Sequence, residues 1–262
     1  MQVVPIILKL GGSIITDKRG EKPVVQTHQV KRLAREIVRN SRSPLILLYG
    51  AGSFGHPLAH KHRLSGRALS TDALTGMGET ISFVRKLGGV LADIFLGEGV
   101  PVVPLQTSSF VREEKGRLII TNYFLIEDIL SHGGVPMFGG DVLIADHRRT
   151  VIVSADALAS ELVRHFHSRK LLFATDVDGV YKKFPARAGE QPLSMISRNE
   201  LRMMVASNTS KESARDVTGA MVGKLRSLLP LRNCAVTIFS GLLPNVLASV
   251  LRDEPQGTRI TL

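Results

Sequence analysis

Residues 45–57 read LILLYGAGSFGHP, five apolar or aromatic residues followed by three glycines in six positions, then His56 and Pro57. The apolar run predicts a buried strand, and the glycines predict a tight turn directly after it. Such a turn also lets backbone N–H groups approach a phosphate closely, especially where a helix begins. The stretch is therefore either a plain turn or part of a phosphate-binding site.

The same order of strand, turn and helix continues along the chain. Short apolar runs alternate with amphipathic stretches that predict helices near 27–40, 72–97, 122–132 and 155–166. This alternation predicts an α/β fold, a three-layer αβα sandwich around a mostly parallel central sheet. The segments RLIITNYFL and DVLIADHRRTVIVS look antiparallel, and the second predicts a hairpin that turns at about 146–149. The polar stretches KKFPARAGEQP and SNTSKESARDVTG predict loops.

Glycines follow four of the predicted strands. They are Gly11 and Gly12; Gly50, Gly52 and Gly55; Gly139 and Gly140; and Gly179. In a parallel sheet, ligands bind beyond the carboxyl ends of the strands. We therefore expect one site at this edge, within a single domain over 1–262 that has a lobe boundary near 170.

Composition and charge exclude several classes of protein. Lys plus Arg number 34 against 23 Asp plus Glu, so the net charge of +11 should attract anions. Nucleic acid is a poor match, because aromatic residues make up only 5% and the cations are spread along the chain. Cys234 is the sole cysteine, which excludes an internal disulfide and suits a reducing cytoplasm. We expect neither a signal peptide nor a transmembrane helix.

Four charged or titratable residues stand where such a site needs them. Lys9 ends a predicted buried strand, so its charge requires a nearby anion. Lys18 is either a second cation at the same edge or a solvated loop lysine. His56 either donates a hydrogen bond to a phosphate or is polar surface. Asp156 either holds lysines in place or simply begins a helix that Ser154 caps.

Two phosphate-binding motifs are present only in incomplete form. In TGAMVGKL only three residues separate Gly219 from Gly223, and Leu225 follows Lys224, so this is not a Walker A loop. GAGSFG has the spacing of a dinucleotide fingerprint, but no acidic residue stands at a strand end about 20 positions further on. Neither motif therefore defines the site.

Read together, six segments resemble the amino acid kinase superfamily and, within it, the isopentenyl phosphate kinases. They are KLGGSIITDK, GAGSFGHP, QTSSF, GGDV, ATDVDGVY and DVTGAM, and the resemblance runs from Lys9 to the terminal GTRI. It implies ATP-dependent phosphorylation of isopentenyl phosphate to isopentenyl diphosphate, with Mg²⁺ carried on the ATP phosphates. It also implies a cytoplasmic homodimer that acts on small molecules and binds neither nucleic acid nor membrane.

The resemblance also implies roles for individual residues. It makes residues 1–170 the acceptor-binding lobe and residues 171–262 the nucleotide-binding lobe. The implied catalytic residues are Lys9, Lys18, His56 and Asp156, with His56 on the acceptor phosphate. The implied ATP contacts are Lys9, Gly11, Gly12, Ser13, Gly52, Asp176, Tyr181, Lys182, Gly219, Ala220 and Lys224. The implied acceptor contacts are Ala51, Gly55, His56 and Ala155, and no protein ligand is assigned to the metal.

The sequence departs from the family pattern at two positions, and two rival functions stay open. Ala220 replaces the second glycine of the usual D-V-T-G-G, and Ala155 stands where S-G-D is common. Met77, Ile81 and Phe83 either wall a pocket for the isoprenoid tail or pack in the core. A fosfomycin-type kinase would share the histidine loop. A nucleic-acid-binding regulator could have kept the fold and lost the chemistry.

Overall fold

The computed structural model describes residues 3–17, 23–182, 189–207 and 217–262. The helices and strands, in chain order, are β1 (Ile6–Leu10), α1 (Gly12–Ile15), β2 (Thr16–Asp17), β3 (Val24–Val25), α2 (Thr27–Asn40), β4 (Leu45–Tyr49), α3 (Gly52–Lys61), α4 (Thr71–Gly97), β5 (Val102–Pro104), β6 (Val111–Glu114), β7 (Arg117–Ile120), α5 (Tyr123–Ser131), β8 (Val135–Gly139), β9 (Asp141–Ala145), β10 (Arg149–Val153), α6 (Ala155–Phe166), β11 (Lys170–Thr175), β12 (Met195–Ser197), α7 (Arg198–Ser207), α8 (Val217–Leu228), β13 (Ala235–Ser240), α9 (Val246–Leu251) and β14 (Thr258–Thr261). Short 3₁₀ turns occupy Thr107–Ser109 and Asp146–Arg148.

The central sheet has eight strands in the order β12-β14-β13-β11-β1-β4-β8-β5. From β13 to β5 all neighbouring strands pair in parallel, whereas β14 runs antiparallel to β13. Helices α2, α4 and α9 pack on one face of the sheet, and α5, α6, α7 and α8 pack on the other. The predicted three-layer αβα sandwich with a mostly parallel sheet is therefore confirmed.

The four helices predicted from the sequence are present as α2, α4, α5 and α6, with bounds within one residue of the prediction. In α2 the buried side chains recur at the helical period, as Val30, Leu33 and Ile37 show. Helices α4, α5 and α6 each begin after a polar cap. The side-chain oxygens of Ser70, Asn122 and Ser154 accept the N–H three residues further on.

A smaller sheet has the strand order β10-β9-β6-β7 and is connected to the large sheet at its carboxyl edge. Strand β9 leaves β8 through Gly140, and β10 leads through Ser154 into α6. The predicted hairpin is thus confirmed as β9–β10, with its turn at Asp146–Arg148. In RLIITNYFL only the first four residues form a strand, which pairs with β6, and Asn122 already caps α5.

Three further predictions concern the two polar loops, Cys234 and membrane-spanning helices. Residues 183–188 of the first predicted polar loop and residues 208–216 of the second lie outside the described residues. The last three residues of the second predicted loop belong to α8 instead. Cys234 is buried, which raises the pKa of its thiol to about 12. In the described part of the chain, no helix combines the length and apolar character needed to cross a membrane.

Helix α4 contacts the sheet through Gly88, whose missing side chain makes room for the Tyr49 hydroxyl. A methyl group at this position would overlap that hydroxyl. We expect Gly88→Ala to lower the free energy of unfolding by about 1–3 kcal/mol, measured by urea denaturation, because overpacking strains the interface.

The neighbouring Gly89 faces open space in the same helix and provides the matched control. Gly89→Ala should be neutral or stabilising by up to about 1 kcal/mol, since alanine forms helix better than glycine. Equal effects of the two substitutions would contradict the close contact at Gly88.

Candidate active site

A cavity of about 410 Å³ lies at the carboxyl edge of the sheet, among the turns that follow β1, β4, β8 and β11. Three of the four predicted glycine turns contribute to its lining. Gly179 does not: it packs against Thr258 and Pro192, and residues 175–177 line the cavity after β11 instead. The expectation of one site at this edge is met, except that residues 175–177 take the place of the turn at Gly179.

The turns after β1 and β4 are in direct contact. A Cβ atom on Gly12 would lie 2.5 Å from both Cα and N of Gly52, so neither turn has room for a side chain there. Gly52 also has a φ of +52°, in the left-handed region that favours glycine. The sequence predicted a loop through Gly55 and His56, but α3 already begins at Gly52 and includes both.

The centre of the site is a carboxylate between two lysines. Alternation along β1 puts Lys9 on the face covered by α6 and α8, where it is 9% exposed. Lys9 Nζ lies 3.0 Å from Asp156 Oδ1 at the start of α6. Lys224 Nζ, from α8, lies 3.0 and 2.9 Å from the two Asp156 oxygens, and 4.1 Å from the centre of the Phe173 ring. Asp156 thus compensates two ammonium groups that would be costly to bury alone.

The pKa values within this cluster reflect its shortage of negative charge. Burial opposes ionisation of Asp156, but the charges of Lys9 and Lys224 and their hydrogen bonds outweigh it and lower the pKa to about 2. Burial, followed by repulsion from Lys9, lowers the pKa of Lys224 to about 7, although Asp156 acts in the opposite direction. One carboxylate cannot neutralise two ammonium groups, so the cluster is suited to an anionic ligand.

Most of the predicted site residues are brought together around the cavity. Those in its lining are Lys9, Gly11, Gly12, Ser13, Ala51, Gly52, Gly55, His56, Ala155, Asp156, Asp176 and Lys224. Tyr181 and Lys182 are described but are not part of this lining. Gly219 and Ala220 both belong to helix α8, although Gly219 was predicted to end a loop.

Lys18 lies outside the described residues. Within the described ranges, the second lysine that pairs with Asp156 is Lys224, for which only an ATP contact was predicted. Nothing in the local sequence links these two residues, because α6 and α8 meet only through the fold.

Asp141 lines the cavity, and the sequence left open whether it is a functional carboxylate or only a structural one. Its carboxylate is 4% exposed and accepts hydrogen bonds from Gln106 Nε2 at 2.8 Å and Ser108 N at 3.0 Å. Val142 N donates to its other oxygen at 2.9 Å. Burial raises the pKa of Asp141 despite these donors. The only signal in the sequence was an aspartate after a glycine pair, and such an aspartate is common in turns.

Another part of the lining is apolar. It includes Val84 from α4 and Ile152 from the β9–β10 hairpin. Of the two alternatives for Met77, Ile81 and Phe83, core packing agrees better with the structure, since none of them lines the cavity. Met77 and Phe83 pack against buried clusters. The sequence therefore indicated the right helix, but not the face that it turns to the cavity.

Residues 5–240 match the sequence model of the Amino acid kinase family. The chain therefore belongs to the amino acid kinase family. Among curated proteins, it is 36% identical to isopentenyl phosphate kinase of Methanothermobacter thermautotrophicus over 98% of each chain. It is 30% identical to the enzyme of that name from Methanocaldococcus jannaschii over 97% of each chain. A solved structure described as isopentenyl phosphate kinase is 33% identical, with a TM-score of 0.83, and the match covers 97% of this chain and 99% of that one.

We expect Asp156→Asn to lower the free energy of unfolding at pH 7 by about 3 kcal/mol, because two buried ammonium groups lose their counter-charge. The folded-state pKa of Asp156, about 2, lies below the usual aspartate value of 3.8. Its contribution to stability is therefore present above about pH 4 and is lost as the pH falls to about 2. Urea denaturation at several pH values measures both effects.

Asp253→Asn is the control, since Asp253 pairs with Lys170 at 2.7 Å but its side chain is 83% exposed. Exposed pairs contribute little, so this variant should unfold much like the wild type. If both variants behaved alike, the Asp156 carboxylate would not be the counter-charge of the cluster.

Proposed function

We propose that this protein transfers the γ-phosphoryl group of ATP to isopentenyl phosphate, giving isopentenyl diphosphate and ADP, a step of isoprenoid biosynthesis in the alternative mevalonate pathway. The observation that carries this proposal is one cavity that contains two adjoining glycine turns and the Lys9–Asp156–Lys224 cluster. His56 and an apolar surface line the same cavity. Similarity to isopentenyl phosphate kinases over nearly the whole chain supports this acceptor.

The nucleotide binds on the side of β1, β11 and α8. Lys9 and Lys224 attract the ATP phosphates, and the glycine turns present backbone N–H groups to them. The proposed ATP contacts are those implied by the family resemblance: Lys9, Gly11, Gly12, Ser13, Gly52, Asp176, Tyr181, Lys182, Gly219, Ala220 and Lys224. Residues 171–262 form the nucleotide-binding lobe in this proposal, and residues 1–170 form the acceptor-binding lobe.

The acceptor binds on the side of α3. His56 donates a hydrogen bond to the phosphate of isopentenyl phosphate, and Ala51, Gly55 and Ala155 line the space around it. The isoprenoid tail lies against the apolar lining, where its burial is favourable. A phosphate acceptor is largely ionised at neutral pH, so its attacking oxygen needs no general base.

During transfer, an oxygen of isopentenyl phosphate bonds to the γ-phosphorus while the bond from that phosphorus to the β,γ-bridging oxygen breaks. Catalysis of such a reaction is mostly positioning and charge stabilisation. Lys9 stabilises the charge on the transferring group, Asp156 orients Lys9, and Lys18 is proposed as a further cation. Positioned cations of this kind lower the barrier by about 3 kcal/mol each.

Mg²⁺ supplies additional positive charge on the ATP phosphates. In enzymes that use ATP, this ion is usually held by one or two carboxylates together with phosphates and water. Asp141 and Asp176 also line the cavity, and in the described ranges no three His, Cys, Asp or Glu side chains converge. In this proposal the ion is carried mainly by the nucleotide. A homodimer and a cytoplasmic location stay predictions from the family resemblance.

An acceptor panel tests the proposed function. In a coupled ADP-release assay with ATP and Mg²⁺, we expect turnover with isopentenyl phosphate, and little with fosfomycin or acetylglutamate. Turnover of fosfomycin without turnover of isopentenyl phosphate would instead establish the fosfomycin-type activity. DNA binding that falls steeply with salt, together with no ATP turnover, would favour the nucleic-acid-binding regulator.

We expect His56→Ala to lower kcat/KM for isopentenyl phosphate by about 100-fold, because the acceptor phosphate loses a positioned donor. The affinity for ATP, measured by calorimetry, should stay near the wild-type value. His60→Ala is the matched control, since His60 is an exposed residue one turn further along α3 and is not part of the cavity lining. Loss of acceptor use in both variants, or in neither, would remove the phosphate-binding role from His56.

ATP binding at pH 8 should be accompanied by proton uptake. With a pKa of about 7, Lys224 is mostly neutral at pH 8 in the empty enzyme. The negative charge of ATP raises the pKa of Lys224, so the lysine takes up a proton as ATP binds. Calorimetry in buffers of different ionisation enthalpy measures this uptake.

Lys224→Arg separates this effect from other groups, because an arginine is already protonated at pH 8. The variant should bind ATP without the proton uptake. An equal uptake in the variant and the wild type would show that another group titrates.

A further inference from the structure

Thr16 follows α1 and is 2% exposed. Its hydroxyl makes two hydrogen bonds that link the turn after β1 to the start of α3. Oγ1 donates to the carbonyl of Gly12 at 2.7 Å and accepts the backbone N–H of Ser53 at 3.1 Å. Because a hydroxyl has a single hydrogen to donate, the two bonds fix its orientation.

The bond to Ser53 satisfies a need of helix α3. The first N–H groups of a helix have no partner within it. Ala51, the residue that precedes α3, has no side-chain oxygen with which to accept one. Thr16, which lies 37 residues before Ser53 in the chain, accepts the Ser53 N–H instead. The helix that includes His56 is therefore capped by a residue of the ATP-side segment.

The bond to Gly12 sets the direction of a peptide group. The Gly12 carbonyl accepts both the hydroxyl and the backbone N–H of Thr16. In a planar trans peptide, the N–H lies opposite the carbonyl, so fixing the Gly12 oxygen also fixes the N–H of Ser13. Ser13 lines the cavity. Thr16 thus orients an amide on the side where the nucleotide is proposed to bind.

Thr16 also packs directly against the turn after β4. A Cβ atom on Gly52 would collide with its Oγ1 and lie 3.0 Å from its Cγ2. The side chain therefore fills the space at the point where the two turns meet.

We propose that Thr16 is a positioning residue for phosphoryl transfer, which sets the distance between the ATP-side turn at Gly12 and the acceptor-side helix α3. This inference rests on the proposed function, since it needs a phosphoryl donor on one side and a phosphoryl acceptor on the other. The hydroxyl touches no substrate and acts through the two segments that it joins. A displacement of about 1 Å between two reacting groups can lower a rate by about 100-fold.

The test compares Thr16→Val with Thr16→Ser. Valine keeps the shape but removes both hydrogen bonds, whereas serine keeps the hydroxyl. We expect Thr16→Val to lower kcat by about 30- to 100-fold with smaller changes in the two KM values, and Thr16→Ser to stay within about threefold of the wild type.

Ser168→Ala is the control for a variant that loses stability while the turn at Gly12 and helix α3 keep their separation. The Ser168 hydroxyl donates to the Pro5 carbonyl at 2.8 Å and is buried at the opposite edge of the sheet. This variant should lower Tm and leave kcat unchanged. If Thr16→Val also lowered only Tm, with kcat near the wild-type value, Thr16 would be structural and the inference would be wrong.

Two further measurements keep this inference separate from the proposed function. The ratio of variant to wild-type kcat is taken with whichever acceptor of the panel the wild type phosphorylates, so failure with isopentenyl phosphate overturns the proposed function alone. Hydrogen exchange of the Ser53 amide in the wild type, followed by NMR, needs neither an acceptor nor a folded variant. We expect slow exchange at this amide, and rapid exchange would overturn the bridge itself.

Discussion

The carboxylate of Asp156 is the constraint on which the rest of the site depends. Lys9 arrives there because β1 is a central strand whose alternation turns this residue toward α6, and Lys224 arrives there from α8. Neither ammonium group would be buried at acceptable cost without the shared counter-charge. Because the two lysines share one carboxylate, burial and mutual repulsion lower the pKa of Lys224 in the empty site, and a polyanionic ligand would favour its protonated form. The same charges therefore serve both ligand binding and the stability of this end of the sheet.

Close contact between the turns is the second constraint. Gly12 and Gly52 lie against one another. In the proposed mode of binding, the segments that approach the two reactants are therefore neighbours rather than opposite walls of a cleft. Two highly charged phosphates can be brought together only where both are held firmly and their charge is neutralised. Backbone amides in a rigid turn meet the first requirement, and the lysines meet the second. A flexible loop at either position would lose this advantage.

Much of the fold could be predicted because it follows from local patterns. The period of apolar residues in α2 and the Ser154 cap of α6 are visible in the sequence, and so are the glycines after β1 and β4. The link between Asp156 and Lys224 was not visible, since it depends on how α6 and α8 pack across 68 residues. The face of α4 was also ambiguous, because Met77 and Val84 are both apolar and only tertiary packing decides which one lines the cavity.

The β9–β10 hairpin follows the large sheet through Gly140 and leads through Ser154 into α6. Its Leu143 and Val153 are buried in one cluster with residues of the central strands. Its residues Val142 and Ile152 line the cavity, yet neither belongs to a strand of the central sheet. Substitutions there can reshape the pocket while the parallel strands and the lysine cluster keep their places. In the proposed mode of binding, this hairpin shapes the pocket for the acceptor tail, so a change of acceptor can arise from substitutions outside the central sheet.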